Sequence, residues 1–315
     1  MSGVQPLRAE GGLISLANDL VGDAALVVAE LERRGELFAA APGAIGLRGD
    51  LYALHRAIEA RIAQLARALA PDEWAVPAVV SLETLQRADY FASFPQWLTL
   101  ASHLTDDEAA LERVALATEP ADAVAAAARP PRAAMPPAVC YHVYAVLADR
   151  TIEAAMRVSA QCTCWRHEGE RTAPLERGWA FTMREAVVLG SDDDVRTTRD
   201  AGARGARSLA ALLGLDAEMA EATDPFFAPT ARGRTLLQRL KSLKHELVVP
   251  IGGRRTLAIA SFNHHETFFG HAFGIRVSDG APASSGCVAF GLERWLLAFL
   301  CAHGPDARAW PSLDD

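Results

Sequence analysis

The sequence lacks the positive charge that nucleic-acid-binding proteins carry. Its 315 residues include 31 Lys and Arg and 39 Asp and Glu, which gives a formal net charge of −8. Cationic side chains are needed to neutralise a phosphate backbone, so this balance argues against a protein that binds nucleic acid. Hydrophobic residues make up 50% of the chain and charged residues 22%, which excludes the disordered and fibrous classes.

Long apolar runs and export signals are missing as well. The longest apolar stretch near the end, residues 295–302, is far shorter than the ~20 residues that a membrane helix needs. The opening residues have no basic segment followed by an apolar run, which is the pattern of a signal peptide. We therefore expect a soluble, cytoplasmic protein that does not bind membranes.

Cysteine is scarce and odd in number, which disfavours a disulfide framework. The five thiols are Cys140, Cys162, Cys164, Cys287 and Cys301. Cys162 and Cys164 would share one face of a strand, and their spacing is not the C-x-x-C of a zinc knuckle. Singly, each thiol is interpreted as a buried core residue, because free Cys is among the most buried residue types.

Apolar spacing predicts helices alternating with strands. Helical periods cover residues 11–69, 140–157, 231–247 and 288–300, and residues 90–100 read as an irregular segment followed by a helix. A hairpin with a long loop is predicted over 162–190, further strands over 247–251 and 256–262, an apolar run over 268–277, and a surface loop over 119–138. Ser191 caps a helix that begins with three Asp residues. With no internal repeat, this order predicts an α+β fold with an antiparallel sheet flanked by helices.

The hairpin and the last helix carry the residues that point to chemistry. The hairpin has Arg166 and Glu168 before its loop and Arg177, Gly178 and Phe181 after it, and Arg294 follows a glycine-bearing apolar segment. In this order and context they resemble motifs 2 and 3 of class II aminoacyl-tRNA synthetases, most closely the seryl enzymes. The resemblance implies ATP binding. Arg166 and Arg294 would face the phosphates and act as the catalytic cations, Phe181 and Arg294 would sandwich adenine, and Glu168 would accept from the adenine amino group.

Three more residues resemble a metal site of the same enzymes. Cys140, Glu185 and Cys287 resemble the zinc site of archaeal-type seryl-tRNA synthetases, in which the fourth position of the metal binds the amino group of the amino acid. Two thiolates and a carboxylate suit a tetrahedral zinc with one open position. We expect one Zn²⁺ per subunit, with Mg²⁺ entering with ATP. His264, His265 and His271 are interpreted as structural or substrate-lining, because adjacent residues on a strand face opposite ways.

The chain has no sustained heptad for a tRNA-gripping arm. From about Gly43 onwards it instead resembles the amino acid:carrier protein ligases, truncated relatives of seryl-tRNA synthetases that charge the phosphopantetheine thiol of a carrier with glycine or alanine. In that family a helix matching residues 228–244 docks the carrier. A basic helix would attract an acidic carrier protein. The basic residues of this segment are Arg232, Arg234, Arg239, Lys241 and Lys244.

The resemblance also implies a division of the chain and a reaction. Residues 1–75 would be a helical region packed on a catalytic domain of residues 76–315, and the protein would be a homodimer that needs no tRNA. Asp224 and Ser261 are candidate substrate contacts, while Val248 and Ala258 stand where seryl enzymes place acidic residues. The expected activity is formation of an aminoacyl adenylate and its transfer to the carrier thiol. A tRNA-charging enzyme and a catalytically silent regulatory paralogue remain as alternatives.

Overall fold

The computed structural model describes residues 22–169, 172–225 and 241–313. Its helices are α1 (Ala24–Arg33), α2 (Gly49–Leu69), α3 (Leu82–Arg87), α4 (Tyr90–Ser93), α5 (Glu108–Leu116), α6 (Pro120–Ala127), α7 (Cys140–Val146), α8 (Asp192–Leu212), α9 (Phe268–Phe273) and α10 (Leu292–His303). Its strands are β1 (Leu37–Ala41), β2 (Ala44–Leu47), β3 (Asp72–Ala75), β4 (Val80–Ser81), β5 (Leu100–Ala101), β6 (Ala133–Ala134), β7 (Thr151–Ile152), β8 (Met156–Trp165), β9 (Ala180–Gly190), β10 (Glu218–Glu221), β11 (Lys244–Pro250), β12 (Thr256–His264), β13 (Arg276–Val277) and β14 (Ser284–Gly291). In these described parts no helix is both long and apolar enough to cross a membrane.

A seven-stranded sheet forms the centre of the molecule, in the order β10-β11-β12-β14-β9-β8-β3. Neighbouring strands are antiparallel except β3 and β8, which are parallel. The predicted hairpin is confirmed, because β8 and β9 pair along their whole length from Met156–Leu189 to Trp165–Ala180. The predicted α+β fold with an antiparallel sheet flanked by helices is therefore confirmed.

Side chains alternate along each strand, so the two faces of the sheet carry different residues and pack against different parts of the molecule. Val288 and Phe290 of β14 belong to the main hydrophobic core, which α2, α8 and α10 cover. Cys287 and Ala289 lie on the opposite face, and Glu185 of β9 pairs with Ala289 across the ladder. This second face forms the floor of a large cavity.

Helix α2 is the long amphipathic helix that the apolar spacing predicts. Leu51, Leu54, Ile58 and Ile62 are all buried against the main core, and burial of each side chain stabilises the fold by about 1.5–3 kcal/mol. The helical prediction for the remainder of residues 11–69 was wrong in part, because β1 and β2 form a hairpin. Residues 11–21 lie outside the described residues.

Helix α8 begins as its sequence predicts. Ser191 accepts a hydrogen bond from the Asp194 backbone N–H, and the Asp194 carboxylate accepts from the Ser191 N–H, which completes a capping box. Asp192 pairs with Arg196 one turn on and lies 2.8 Å from His264 Nε2. The acidic run therefore stabilises the helix start, as expected.

Three predicted boundaries shift because short apolar runs do not distinguish a buried strand from a helix. The helix predicted over residues 140–157 ends at Val146, and Met156 already begins β8. The helix predicted over 288–300 begins at Leu292, because the preceding residues complete the buried strand β14. The helix predicted over 231–247 cannot reach its end, because Lys244 begins β11; residues 231–240 lie outside the described residues.

Two predicted irregular segments contain regular structure. In residues 90–100 the helical turn α4 ends at Ser93, and a 3₁₀ turn covers Pro95–Trp97. The helix predicted after the irregular part was therefore wrong. The loop predicted over 119–138 includes α6, in which Pro120 occupies the first turn, where a proline needs no N–H partner. The N-terminal part is not purely helical either, since β3 is an edge strand of the central sheet.

The crossing of α8 over the sheet depends on Gly202. A Cβ added there would meet Val288 Cγ2 at 2.5 Å, and Val288 is a stiff β-branched residue of a central strand. We expect Gly202→Ala to lower the free energy of unfolding by about 1–3 kcal/mol through overpacking. Gly205→Ala, on the same helix, meets only the flexible end of Leu65 and should be neutral or stabilising by up to about 1 kcal/mol. Urea denaturation of both variants checks this, and equal stabilities would contradict it.

Candidate functional site

A cavity of about 860 Å³ lies on the second face of the sheet. Its floor comes from β9, β11, β12 and β14, and its walls come from the hairpin β1–β2, the start of α4 and the start of α7. The cavity brings together most of the residues singled out from the sequence. They are Cys140, Arg166, Glu168, Arg177, Gly178, Phe181, Glu185, Asp224, Lys244, Ser261, Cys287 and Arg294.

Arg166 follows β8 directly and is held by aromatic rings. Its Nε donates to the Pro137 carbonyl at 3.0 Å. The guanidinium carbon lies 5.2 Å from the Trp97 ring centre and 5.4 Å from that of Phe181. These cation–π contacts fix the plane of the cation at the cavity wall. Phe181, predicted to stack on adenine, therefore contacts Arg166 here.

Arg294 lies in the first turn of α10 and is almost fully enclosed. Its Nε donates to the Glu176 carbonyl at 2.8 Å and its Nη1 to the Ala258 carbonyl at 3.1 Å. Burial, and then the positive charge of Arg166, lowers the pKa of Arg294 from its ordinary value. Two guanidinium groups facing one cavity repel each other, so a polyanion bound between them would be strongly stabilised.

The hairpin loop is anchored by the turn between β1 and β2, which was not predicted from the sequence. Glu168 pairs with Arg177 at 3.3 Å across the loop, whose residues 170 and 171 lie outside the described part. The carbonyl of Gly43, in the turn between β1 and β2, accepts from the Trp179 N–H at 2.7 Å. Gly43 has a φ of 70°, a conformation that favours glycine. A Pro-Gly turn next to apolar residues was the available sequence signal for this hairpin.

Cys140, Glu185 and Cys287 converge at the inner end of the cavity. The Cys140 thiol contacts both Cys287 and Glu185, and its pKa is raised well above the ordinary value by the contact with Cys287, then by burial and by the charge of Glu185. Glu185 Oε1 accepts from the Val139 N–H at 2.9 Å, while its Oε2 is buried without a hydrogen-bond partner. Burial raises the pKa of Glu185. The Glu185 carboxylate, which has one oxygen without a hydrogen-bond partner, and the Cys140 thiol that it contacts therefore offer donor atoms to a cation.

The three side chains are close but do not form a finished metal site. Within residues 22–169, 172–225 and 241–313, no group of three or more His, Cys, Asp and Glu side chains has an arrangement that could hold a metal ion. The predicted zinc ligands are thus neighbours in space, and zinc binding stays a prediction.

Lys244 corrects the predicted docking surface. It lies on β11 rather than on a helix, and its Nζ is 2.7 Å from Asp224 Oδ1 and 3.2 Å from Glu246 Oε1. Burial opposes its charge, but the two carboxylates outweigh this effect and raise the pKa of Lys244. Because it is enclosed in the cavity, Lys244 is not available as a docking residue, and that prediction was wrong.

For the other predicted docking residues, the described structure does not contradict the prediction. Lys241 is exposed and pairs with Glu266 at 2.7 Å. Arg232, Arg234 and Arg239 lie outside the described residues. Their role in docking stays a prediction.

Three polar residues that were not predicted from the sequence also line the cavity. Glu293 accepts the Thr182 N–H at 2.9 Å, and burial raises the pKa of its carboxyl. Glu246 pairs with Ser261 across β11 and β12, and Asn263 pairs with Cys287 across β12 and β14. Alternation along β11 and β12 would have placed Glu246 and Asn263 on the cavity face, had the order of the strands been known.

His264 is the last residue of β12, and both His264 and His265 line the cavity, so their interpretation as structural or substrate-lining residues stays a prediction. His264 Nδ1 accepts from the Glu266 N–H at 3.1 Å, and its Nε2 lies 2.8 Å from Asp192 Oδ1 at the start of α8. His265 Nδ1 lies 3.3 Å from the Tyr144 hydroxyl. His271 is exposed on α9.

Stability should fall in acid because of His265. Burial is the largest cause that lowers the pKa of His265 to about 4, from an ordinary value of 6.5. The folded state therefore disfavours its protonation, so its contribution is complete above pH 6.5 and lost as the pH falls to about 4, up to about 3 kcal/mol. His265→Gln should remove that part of the pH dependence, measured by urea unfolding from pH 7 to 4. The exposed control His271→Gln should keep the wild-type slope, and an unchanged slope in His265→Gln would refute the assignment.

Comparison with known proteins gives close relatives. The sequence is 32% identical over 266 residues to amino acid–acyl-carrier-protein ligase 1 of Bradyrhizobium diazoefficiens, covering 82% of this chain and 81% of that protein. It is 33% identical over 238 residues to ligase 2 of the same organism, covering 75% and 71%. The chain belongs to the amino acid–acyl-carrier-protein ligase family. No family model matches the sequence. The predicted family is confirmed, and the protein is a ligase.

The ligase is also related to tRNA-charging enzymes. It is 27% identical over 199 residues to the type-2 serine–tRNA ligase of Methanopyrus kandleri, but it spans only 37% of that protein's length. Among solved structures, the complex of the M. kandleri seryl-tRNA synthetase with a tRNA(Sec) of A. aeolicus aligns with a TM-score of 0.81 at 21% identity, covering 91% of this chain and 59% of that chain. The Naegleria fowleri serine–tRNA ligase aligns with a TM-score of 0.66 at 12% identity, covering 89% of this chain and 62% of that chain. The ligase therefore has the class II aminoacyl-tRNA synthetase fold.

Proposed function

We propose that this ligase activates a small amino acid, glycine or alanine, with ATP and transfers it to the phosphopantetheine thiol of a carrier protein. The observation that carries the proposal is the meeting of Arg166 and Arg294 with the Cys140, Glu185 and Cys287 cluster in one cavity. The names of the two Bradyrhizobium relatives support the carrier protein as acceptor. The cations suit a triphosphate and the cluster suits an amino group.

In the first step an oxygen of the amino acid carboxylate attacks the α-phosphorus of ATP. A new bond joins that oxygen to the α-phosphorus, the bond to the bridging oxygen breaks, and pyrophosphate leaves with its electron pair. Arg166 and Arg294 stabilise the charge that develops on the phosphoryl oxygens. Mg²⁺ enters with ATP, and Glu246 and Glu293 are carboxylates of the cavity wall that suit such a hard cation.

The Cys140, Glu185 and Cys287 side chains are not arranged as a finished site in the described residues, so zinc is proposed from their donor types, two sulfurs and one carboxylate. Cys140 and Cys287 supply sulfur, Glu185 supplies the oxygen that lacks a partner, and Cys140 contacts both of the others. When bound, zinc would act as a Lewis acid that holds the neutral amino group of the substrate. The aromatic ring of Tyr141, beside Cys140, packs edge-on against Tyr90 with ring centres 5.9 Å apart. Both rings line the cavity, and Tyr141 directly follows Cys140 in the chain, which favours a substrate with a small side chain.

In the second step the carrier thiol attacks the carbonyl carbon of the adenylate. A carbon–sulfur bond forms, the bond from carbon to the phosphate oxygen breaks, AMP leaves with the electron pair of that bond, and the thiol proton passes to solvent water. Lys241 with Arg232, Arg234 and Arg239 would attract an acidic carrier. A homodimer is the expected assembly.

Pyrophosphate exchange tests the first step. Purified protein is incubated with labelled pyrophosphate, ATP and either glycine, alanine or serine, and label entering ATP is measured. We expect exchange with glycine or alanine. A silent regulatory paralogue would give no exchange with any amino acid, which would refute the proposal.

Acceptor specificity tests the second step. With the preferred amino acid, a holo carrier protein should gain the mass of one aminoacyl group, and the apo carrier without phosphopantetheine should gain none. Bulk tRNA serves as the competing acceptor. Acylation of tRNA in place of the holo carrier would favour the tRNA-charging alternative.

A further inference from the structure

Asn263 links one member of the thiol cluster to the sheet. It lies directly opposite Cys287 in the antiparallel pair of β12 and β14. Its Nδ2 is 3.4 Å from Cys287 Sγ and 3.2 Å from Ser261 Oγ. A carboxamide nitrogen has two hydrogens, and each has an acceptor here. The side chain is thus fixed at both hydrogens, with one N–H directed at the sulfur.

We propose that Asn263 is a positioning residue that holds Cys287 as a metal ligand. The inference rests on the proposed function, because it assigns a role to a residue beside the proposed zinc site. A sulfur that accepts an N–H hydrogen bond is fixed in one side-chain rotamer, which orients its lone pairs for a metal. Glu185 is held in the same way, since its Oε1 accepts the Val139 N–H. Two of the three donors are therefore oriented by neutral N–H groups before any cation binds.

Hydrogen bonds of this kind change metal affinity as well as packing. Loss of a partner that orients a ligand typically weakens metal binding by 10–100-fold. Leucine has nearly the shape of asparagine but no donor. Replacing Asn263 by leucine therefore removes the N–H···S contact and keeps most of the volume. Ser261→Ala is the matched control, because it removes the second acceptor of Asn263 and leaves the bond to Cys287.

Zinc affinity is the measurement. Metal-free full-length protein is titrated with Zn²⁺ against a chromogenic chelator, for wild type, Asn263→Leu, Asn263→Ala and Ser261→Ala. We expect the dissociation constant of both Asn263 variants to rise about 10–100-fold, and that of Ser261→Ala to change less than about threefold. The Co²⁺-loaded wild type should show a sulfur-to-metal charge-transfer band that shifts in the Asn263 variants. Circular dichroism checks that each variant folds. If Asn263→Leu does not fold, Asn263→Ala provides the test.

Three results would overturn the assignment. A dissociation constant in both Asn263 variants within twofold of wild type would show that the hydrogen bond does not act on the metal. An equal loss in Ser261→Ala would assign the effect to general packing. A wild type that binds no Zn²⁺ would remove the metal from the proposed function together with this role. Pyrophosphate exchange, measured separately, distinguishes that last result from failure of the whole activity.

Discussion

Replacing Arg166 by alanine is expected to lower the rate of pyrophosphate exchange by about 10²–10³-fold. The side chain contacts the rings of Trp97 and Phe181, and within the described residues only its Nε donates to a protein carbonyl. Its charge therefore meets a developing phosphoryl anion without reorganisation. Arg166→Lys should recover only part of the rate, because an ammonium cannot form two parallel hydrogen bonds to a phosphate. Initial rates at saturating ATP measure the effect.

The matched control is Arg157, on the same strand but outside the cavity. Its Nη2 lies 2.9 Å from Asp194 at the start of α8. Arg157→Ala should keep the wild-type exchange rate and lose at most about 1 kcal/mol of stability, as for other half-exposed ion pairs. Wild-type exchange in Arg166→Ala, or an equal loss in both variants, would contradict the assignment of Arg166.

Replacing Cys287 by alanine is expected to abolish bound zinc. The zinc content should fall from about one ion per chain to nearly none, because a site with one thiolate and one carboxylate retains too few donors. Exchange activity should fall with it, since the substrate amine would lose its anchor. Metal analysis after gel filtration, together with the exchange assay, measures both.

Cys301 provides the control for this change. It is buried in the main core, and burial raises the pKa of its thiol to about 12. Cys301→Ala should keep zinc and activity, at a cost of about 1 kcal/mol in the free energy of unfolding for the lost apolar contact. Zinc retained in Cys287→Ala, or absent from the wild type, would refute the proposed ligand set.

Local features of this chain were predictable because their causes lie within a few residues. The capping box of α8 needs only Ser191 and Asp194, and the stripe of α2 needs only the three- and four-residue spacing of its Leu and Ile side chains. The hairpin of β8 and β9 likewise pairs neighbours in sequence. Residue order around Arg166 and Arg294 was sufficient to predict the family.

Features that depend on distant strands were not predictable in this way. Lys244 was assigned to a helix surface, and only the pairing of β11 with β12 turns it into the cavity towards Asp224 and Glu246. The turn at Gly43 was missed because its partner, Trp179, belongs to the hairpin loop far along the chain. The apolar run that ends at Gly291 was assigned to a helix because burial on both faces removes the alternation of a strand.

By itself the sequence determined the chemistry that is available: two arginines in family motifs, two thiols and a carboxylate, and the local starts of helices and strands. The tertiary structure decided which of these groups meet. Pairing β9 with β14 puts Glu185 and Cys287 on the same face of the sheet, and placing α7 over that face brings Cys140 into contact with both. Periodicity and capping act over a few residues, whereas strand order and register arise from the burial of the whole sheet, which no short segment encodes.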